Sequence, residues 1–317
     1  MNISFLVGGG YFTHEQLDFW KIVLSRSGAL EHKIQWDDLT LQAPLSVEGD
    51  ILVIFGLKGL LRLLTKKAIA RRHLSHYCKT FFLATVPRNI PLIVLDDLNT
   101  ADSSRFQDEF FSFFYQNFNL KRYLLREYLE TKRYPEVVMP FSIPCNSHSD
   151  LIIDNSLKGI DIFFQGNASS HSRAKITRSI EEYFHDSSLH LKVTGGGVRN
   201  KTDRLARPDF LKLMADSRFS LSFTGTGYDC FRYHEIASVG SIIVSPNYPL
   251  LIRNDYVDMV ECVKYRTVGE LRRKLKQLFN NPSLMDDMQH ASVSRFNSFH
   301  TSQARAEELL DVLALAF

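Results

Sequence analysis

Short runs of apolar residues recur along the chain, each followed by a polar or glycine-bearing stretch and then by residues at helical spacing. Residues 3–7 form the first run and end at Gly8-Gly9-Gly10. Leu17, Trp20, Ile22, Val23 and Leu24 then predict a helix over 13–27. Residues 50–56 give a second strand, followed by a long helical stretch from Leu57, and residues 90–95 give a third that closes on Asp96-Asp97. Runs that are apolar at every position, rather than at alternate ones, belong to strands covered on both faces, which is the signature of a parallel sheet between helices. The stretch 140–149, with Pro140 and Pro144, interrupts the alternation and predicts a linker. The rhythm then resumes with strands over 160–164, 190–193, 219–223 and 241–245, and with helices over 173–184, 210–217 and 231–239. The expected fold is α/β, with two Rossmann-like domains facing each other across a cleft: residues 1–145, residues 150–300, and a last helix within 301–317.

Ligands of open α/β sheets sit outside the carboxyl ends of the strands. The positions to watch are therefore 8–14, Asp96-Asp97, Gly166 to Arg173, Thr194 to Gly197, and Thr224 to Glu235. Gly8-Gly9-Gly10 and Gly195-Gly196-Gly197 do not spell the dinucleotide fingerprint G-x-G-x-x-G, and as tight turns beside a crevice they need no cofactor. At 317 residues the chain suits two domains, and its 44% hydrophobic and 23% charged residues are those of a globular protein. A net charge of +3 gives no reason to expect a nucleic-acid partner. The four cysteines are far apart and form no C-x-x-C pair, so neither a zinc ribbon nor a disulfide scaffold is expected. The histidines show no metal-ligand spacing, and no bound metal is expected. With no cationic leader and no apolar run near the ~20 residues of a membrane span, the expected location is cytoplasmic.

The segment 217–246 carries the most chemistry. It reads as strand, loop with Gly225, Thr226, Gly227 and Tyr228, helix, Gly240, strand. The glycines let a ligand approach the backbone, and the start of the helix offers amides and a positive dipole end to an anion such as a diphosphate. Arg232 and Glu235, three apart, share a face of the first helical turn. Arg232 fits phosphate oxygens, and Glu235 fits two ribose hydroxyls. On spacing alone the pair reads equally as a surface salt bridge.

The whole string resembles the donor-binding segment of GT-B glycosyltransferases, most nearly the exostosin-like group and the bacterial group named after spore-maturation proteins. The shared pattern is Ser217-x-Phe219, Gly227, Arg232-x-x-Glu235, Gly240 and Ile242-Ile243-Val244, continued by Asn247-Tyr248-Pro249-Leu250 and Asp255-Tyr256. Phe163-Phe164-Gln165-Gly166 followed by Arg173 is similar to the opening of the same domain, so the likeness runs over about 160–300. It implies a nucleotide-sugar donor, UDP-sugar favoured, bound by Gly166, Arg173, Thr194, Gly225, Thr226, Gly227, Tyr228, Arg232 and Glu235. It implies a glycan, lipid-linked or other hydroxyl acceptor on the first domain, transfer without a metal, and a last helix that crosses back to brace that domain.

A base for the acceptor hydroxyl is to be sought on the first domain. Asp97 is the first candidate, with His14 and Asp96 beside it. Asp96-Asp97 reads equally as a turn or helix cap, and His14 as a capping group. Residues 51–95 hold no Asp or Glu, and Lys58, Arg62, Lys66, Lys67, Arg71 and Arg72 lie there among leucines at helical spacing. Such a basic amphipathic helix fits peripheral contact with an anionic membrane, at the inner membrane face, and fits equally a leucine stripe on the core with a solvated cationic back. Two other activities suit the same sequence: a nucleotide-sugar epimerase or hydrolase, and a non-catalytic subunit that binds a nucleotide-sugar or glycan.

Overall fold

The structure is a computed structural model that describes residues 3–8, 14–27, 30–34, 49–57, 74–98, 106–167, 171–194, 205–225 and 227–315. Two parallel sheets organise it. The first has six strands, β1 (Ile3–Gly8), β2 (Leu30–Ile34), β3 (Ile51–Phe55), β4 (Leu92–Asp96), β5 (Leu120–Leu125) and β6 (Val138–Pro140), in the order β2-β1-β3-β4-β5-β6. Every residue of β3 and β4 is buried, in accord with apolar runs that are unbroken in β3 and reach Leu95 in β4.

Alternate residues of a strand serve opposite faces. Leu52, Ile54, Leu92 and Val94 pack under α2 (Leu74–Thr85) and α3 (Phe106–Asn117), where Phe82, Phe110 and Phe114 fill the layer. Ile51, Val53, Phe55, Ile93 and Leu95 face the other way, onto Phe19, Trp20 and Val23 of α1 (His14–Ser27). That second layer is completed from the far end of the chain. Ala306, Leu309, Val312 and Leu313 of the last helix, Ser302–Leu315, lie in the same cluster.

The second sheet has five strands, β7 (Ile160–Asn167), β8 (Leu189–Thr194), β9 (Ser217–Leu221), β10 (Ile242–Pro246) and β11 (Cys262–Tyr265), ordered β11-β10-β9-β7-β8 and all parallel. One face, with Phe164, Phe219 and Val244, is covered by Ile180 of α4 (His171–Tyr183) and by a leucine stripe, Leu271, Leu275 and Leu278, of a helix α7 (Val268–Phe279). The opposite face, with Phe163 and Ile243, meets α5 (Arg207–Ala215), α6 (Phe231–Ser238) and Phe296 of α8 (Pro282–Phe299). Local chemistry starts two of these helices. Thr267 Oγ1 accepts the Glu270 amide at 3.1 Å, and Asn281 Oδ1 accepts the Leu284 amide at 3.2 Å ahead of Pro282. The last helix is α9.

Residues 140–149 connect the two sheets without hanging free. Cys145 exchanges backbone hydrogen bonds with His300 and Ser302, and the Asn146 side chain bonds both Asp18 and Ser302. Four strands escape the apolar-run criterion. β2 reads Leu-Glu-His-Lys-Ile, an alternating edge strand, and β5 begins Leu-Lys-Arg before its buried half. β6 and β11 are only three and four residues long. The predicted helix over 210–217 starts earlier, at Arg207 beside Pro208, and gives Ser217 to β9. The predicted strand over 90–95 is shifted, so that Asp96 lies in β4. The basic stretch from Lys58 to Arg72 falls outside the described residues.

Gly240 closes α6 before β10 with φ +71°, and a Cβ there would lie 2.9 Å from Ile152 Cγ2 and 3.1 Å from Gln289 Nε2. Its carbonyl accepts the buried Lys158 Nζ at 2.5 Å. Gly240→Ala combines left-handed strain with a close contact. The expected loss is about 1–3 kcal/mol of stability, read as a lower denaturant midpoint at unchanged slope.

Candidate active site

The site is built at the carboxyl ends of β7 and β9. After β9 the chain runs through 222–230 into α6, and two side chains pin this loop at Thr224. The Thr224 amide donates to Tyr248 Oη at 2.9 Å, and its carbonyl accepts from the Arg173 guanidinium. The Gly225 amide bonds the Gly227 carbonyl at 3.1 Å, a tight turn, and the Tyr228 ring lies 5.1 Å from that of Tyr248.

Arg232 projects from the first turn of α6 onto aromatic faces. Its guanidinium lies 5.2 Å from the ring centroids of both Phe164 and Phe210. Gly166 makes room for it, since a Cβ there would stand 3.3 Å from Arg232 Nη1 and 3.1 Å from the Phe164 ring. Arg173 is 6.0 Å from the same Phe164 ring, and burial together with the charge of Arg232 lowers its pKa from the ordinary arginine value. Two cations therefore share one aromatic platform. Among the described residues no carboxylate pairs with Arg232.

Glu235 is 5% exposed and receives Arg207 Nη2 on Oε1 at 2.8 Å. The Arg232–Glu235 salt bridge that spacing alone allowed is thus not formed. Glu235 turns to a different arginine and leaves the Arg232 guanidinium to the platform. Thr194 ends β8 opposite Asn167, with its side chain outside the described residues, as is all of Thr226. His14 begins α1, and its side chain likewise lies outside the described part.

On the first sheet, Asp96 is committed inward. Its Oδ2 accepts the Tyr123 hydroxyl at 2.7 Å, its Oδ1 accepts the Leu98 amide at 2.9 Å, and it is 2% exposed. Burial is the main cause that pushes its carboxyl up to about 7. One oxygen bonds Tyr123 on β5 and the other bonds the turn after β4, so both are engaged within the protein. Asp97 is 5% exposed, and its carbonyl accepts Arg126 Nη1 at 3.4 Å.

Sequence reasoning missed the residues that join the halves. Arg126 and Glu127 follow β5, and Glu127 accepts the backbone amides of Tyr228 and Asp229, each at 3.1 Å. Asp229 Oδ2 in turn accepts the Ser142 hydroxyl and the Ile143 amide, both at 3.1 Å, and stands 3.6 Å from Arg126 Nε. Beneath them His234 is wholly buried, stacked 4.5 Å from the His300 ring, and burial holds it well below the ordinary histidine range. With its polar opening, β5 offered no strand whose end could be marked.

Residues 173–311 match a family described as glycosyl transferase-like. A search of curated proteins finds no match. Among solved structures, a glycosyltransferase from Rickettsia africae superposes with a TM-score of 0.57 at 9% identity, over 99% of this chain and 98% of that one. Anabaena HepE, solved in complex with UDP and glucose, gives 0.55 at 12% identity over 99% and 100%. TarM gives 0.54 at 11%, over 83% of this chain and 54% of that one. The fold is GT-B. The platform of Phe164, Arg173 and Arg232 belongs to the second sheet's half of this fold.

Among the described residues no group of three His, Cys, Asp or Glu side chains is arranged to hold a metal ion. No described helix is long and apolar enough to cross a membrane.

Asp96 yields a linkage prediction. Its folded pKa is raised above the usual carboxylate value, so the folded state holds the proton more tightly and stability falls as pH rises from about 4 to about 7. In Asp96→Asn that component of the decline should vanish, as read by urea titrations at several pH values across the window. A decline identical in both proteins would show that Asp96 ionises freely.

Proposed function

We propose that the chain is a glycosyltransferase that binds a nucleotide-diphosphate sugar, with UDP as the nucleotide, on the second sheet and a hydroxyl acceptor on the first. The observation that carries this reading is Arg232. Its guanidinium is held between two aromatic rings, beside a glycine and a second arginine, and no described carboxylate neutralises it. Arg173 adds a second guanidinium beside Arg232, and a diphosphate is an anion whose oxygens suit such planar donors.

Transfer breaks the bond between the sugar's anomeric carbon and the diphosphate, so negative charge grows on the leaving oxygens. Arg232 and Arg173 are already in place to meet it, which is stabilisation that increases toward the transition state. Because these two guanidinium groups carry the positive charge the leaving group needs, we read the step as one these cations can serve without a bound metal. Glu235, oriented by Arg207, keeps a carboxylate on the same helix face for the ribose hydroxyls. The tyrosine pair Tyr228–Tyr248 supplies a flat apolar wall at the loop. Asp97 on the first sheet takes the proton from the acceptor hydroxyl, with His14 as the rival base. The string from Ser217 to Val244 supports placing the chain with the exostosin-like and spore-maturation-like enzymes. An acceptor that is a glycan or a lipid-linked hydroxyl accords with that placement.

Titration calorimetry with UDP and with uridine tests the donor site. A charged hydrogen bond contributes about 1.5–3 kcal/mol, so Arg232→Ala should weaken UDP binding roughly 10- to 150-fold. The same variant should leave uridine almost unaffected, whereas Glu235→Ala should penalise both ligands alike. Unchanged UDP affinity in both folded variants would end the donor reading.

The base has its own test. Asp97→Asn should lower transfer by about 10²–10⁴-fold while UDP affinity stays within a factor of two or so. If Asp97→Asn transfers normally and His14→Ala does not, the proton goes to His14.

A further inference from the structure

The peptide between Tyr228 and Asp229 belongs to the second sheet's loop, yet most of its polar contacts come from the first. Its two flanking amides end on Glu127, Tyr228 N on Oε2 and Asp229 N on Oε1, both at 3.1 Å. The Asp229 carbonyl accepts from Arg126 Nη2. The Asp229 carboxylate accepts from Ser142 and Ile143, beyond β6. The same Arg126 guanidinium that holds Asp229 also reaches the carbonyl of Asp97 at 3.4 Å. Glu127 is completely buried, and its nearest described charges are Arg126 on its own strand end and Asp229 across the junction.

Two consecutive amides converging on one anion form the kind of concavity that binds phosphate in other settings. Here the chain's own carboxylate fills it. The amides of Tyr228 and Asp229 are therefore not available to a ligand diphosphate, and they anchor the loop instead. Downstream of this anchor, with only Cys230 between, α6 begins and carries Arg232.

We propose that Arg126 and Glu127 are positioning residues for the donor loop. They fix residues 228–230 against the ends of β4 and β5, so that the place of Arg232 and the place of Asp97 are set by one dipeptide. The functional part rests on the donor reading above. The mechanical part does not.

Hydrogen exchange followed by mass spectrometry on the full chain separates the two parts. Without ligand, Glu127→Ala should exchange at least about tenfold faster than wild type over 227–230 and 141–143, with the core strands β3 and β10 unchanged. Glu127→Gln keeps the volume and one acceptor oxygen, so it should fold and show a smaller acceleration confined to 228–229. Unaltered exchange at 227–230 in both variants overturns the proposal.

With UDP as the probe, wild type should gain protection both at 224–235 and, through the clamp, at 123–127 and 141–143. In Glu127→Ala the first-sheet protection should be lost and UDP affinity should fall about tenfold, with partial recovery in Glu127→Gln. A purely local structural role would slow or speed exchange without changing how far the UDP effect spreads. UDP protection that stops at 224–235 in wild type therefore overturns the coupling. If wild type does not respond to UDP at all, the donor reading fails, and the ligand-free exchange at 227–230 still decides the clamp.

Discussion

A carboxylate removed from water must find partners inside the protein, or its desolvation costs several kcal/mol. Glu127 meets that demand with two backbone amides from a loop that lies 101 and 102 residues further along the chain. The proposed donor site rests on this requirement. In that proposal Glu127 holds the loop, the loop leads into α6, and α6 carries Arg232 beside Phe164. Asp229 runs in the opposite direction: buried on the second sheet's loop, its Oδ2 accepts from Ser142 and Ile143 next to the first sheet. Each half keeps a buried carboxyl group with hydrogen-bond partners in the other half.

The cationic platform follows from packing as much as from charge. Phe164 is buried in the second core, and its ring gives the guanidinium groups of Arg173 and Arg232 an aromatic surface to lie against. Removing the side chain at Gly166 is what lets Arg232 settle there. Glu235 could have neutralised it three residues away and instead bonds Arg207. Among the described residues no carboxylate pairs with Arg232, which accords with the proposed binding of an anionic diphosphate there.

How much of this was legible in the sequence depended on what each element needed from it. Strands buried on both faces, such as Ile51–Phe55 and Leu92–Asp96, announce themselves through apolar runs, unbroken in the first and reaching Leu95 in the second. Ile242–Pro246 has such a run over Ile242, Ile243 and Val244, ahead of the buried Ser245. The glycine loop, Arg232 and Glu235 were legible because a helix start beside glycines restricts residue types. The strand β5 was not, since Lys121 and Arg122 break its run while their stems still pack, and so Arg126-Glu127 could not be marked as a strand end. The partner of Glu235 was equally hidden. Arg207 is brought to it by tertiary packing of α5 on β9, which no spacing rule reports. Asp96 failed for a related reason: its buried partner, the Tyr123 hydroxyl, also lies on β5.

The central claim is that the platform of Phe164, Arg173 and Arg232 receives a diphosphate. A crystal structure of the full chain grown with UDP tests it most directly. The account predicts phosphate oxygens within about 3 Å of the Arg232 guanidinium, at hydrogen-bond distance, with Glu127 still on the amides of Tyr228 and Asp229. UDP bound with its phosphates away from Arg232, or seated on those two amides in place of Glu127, would contradict it.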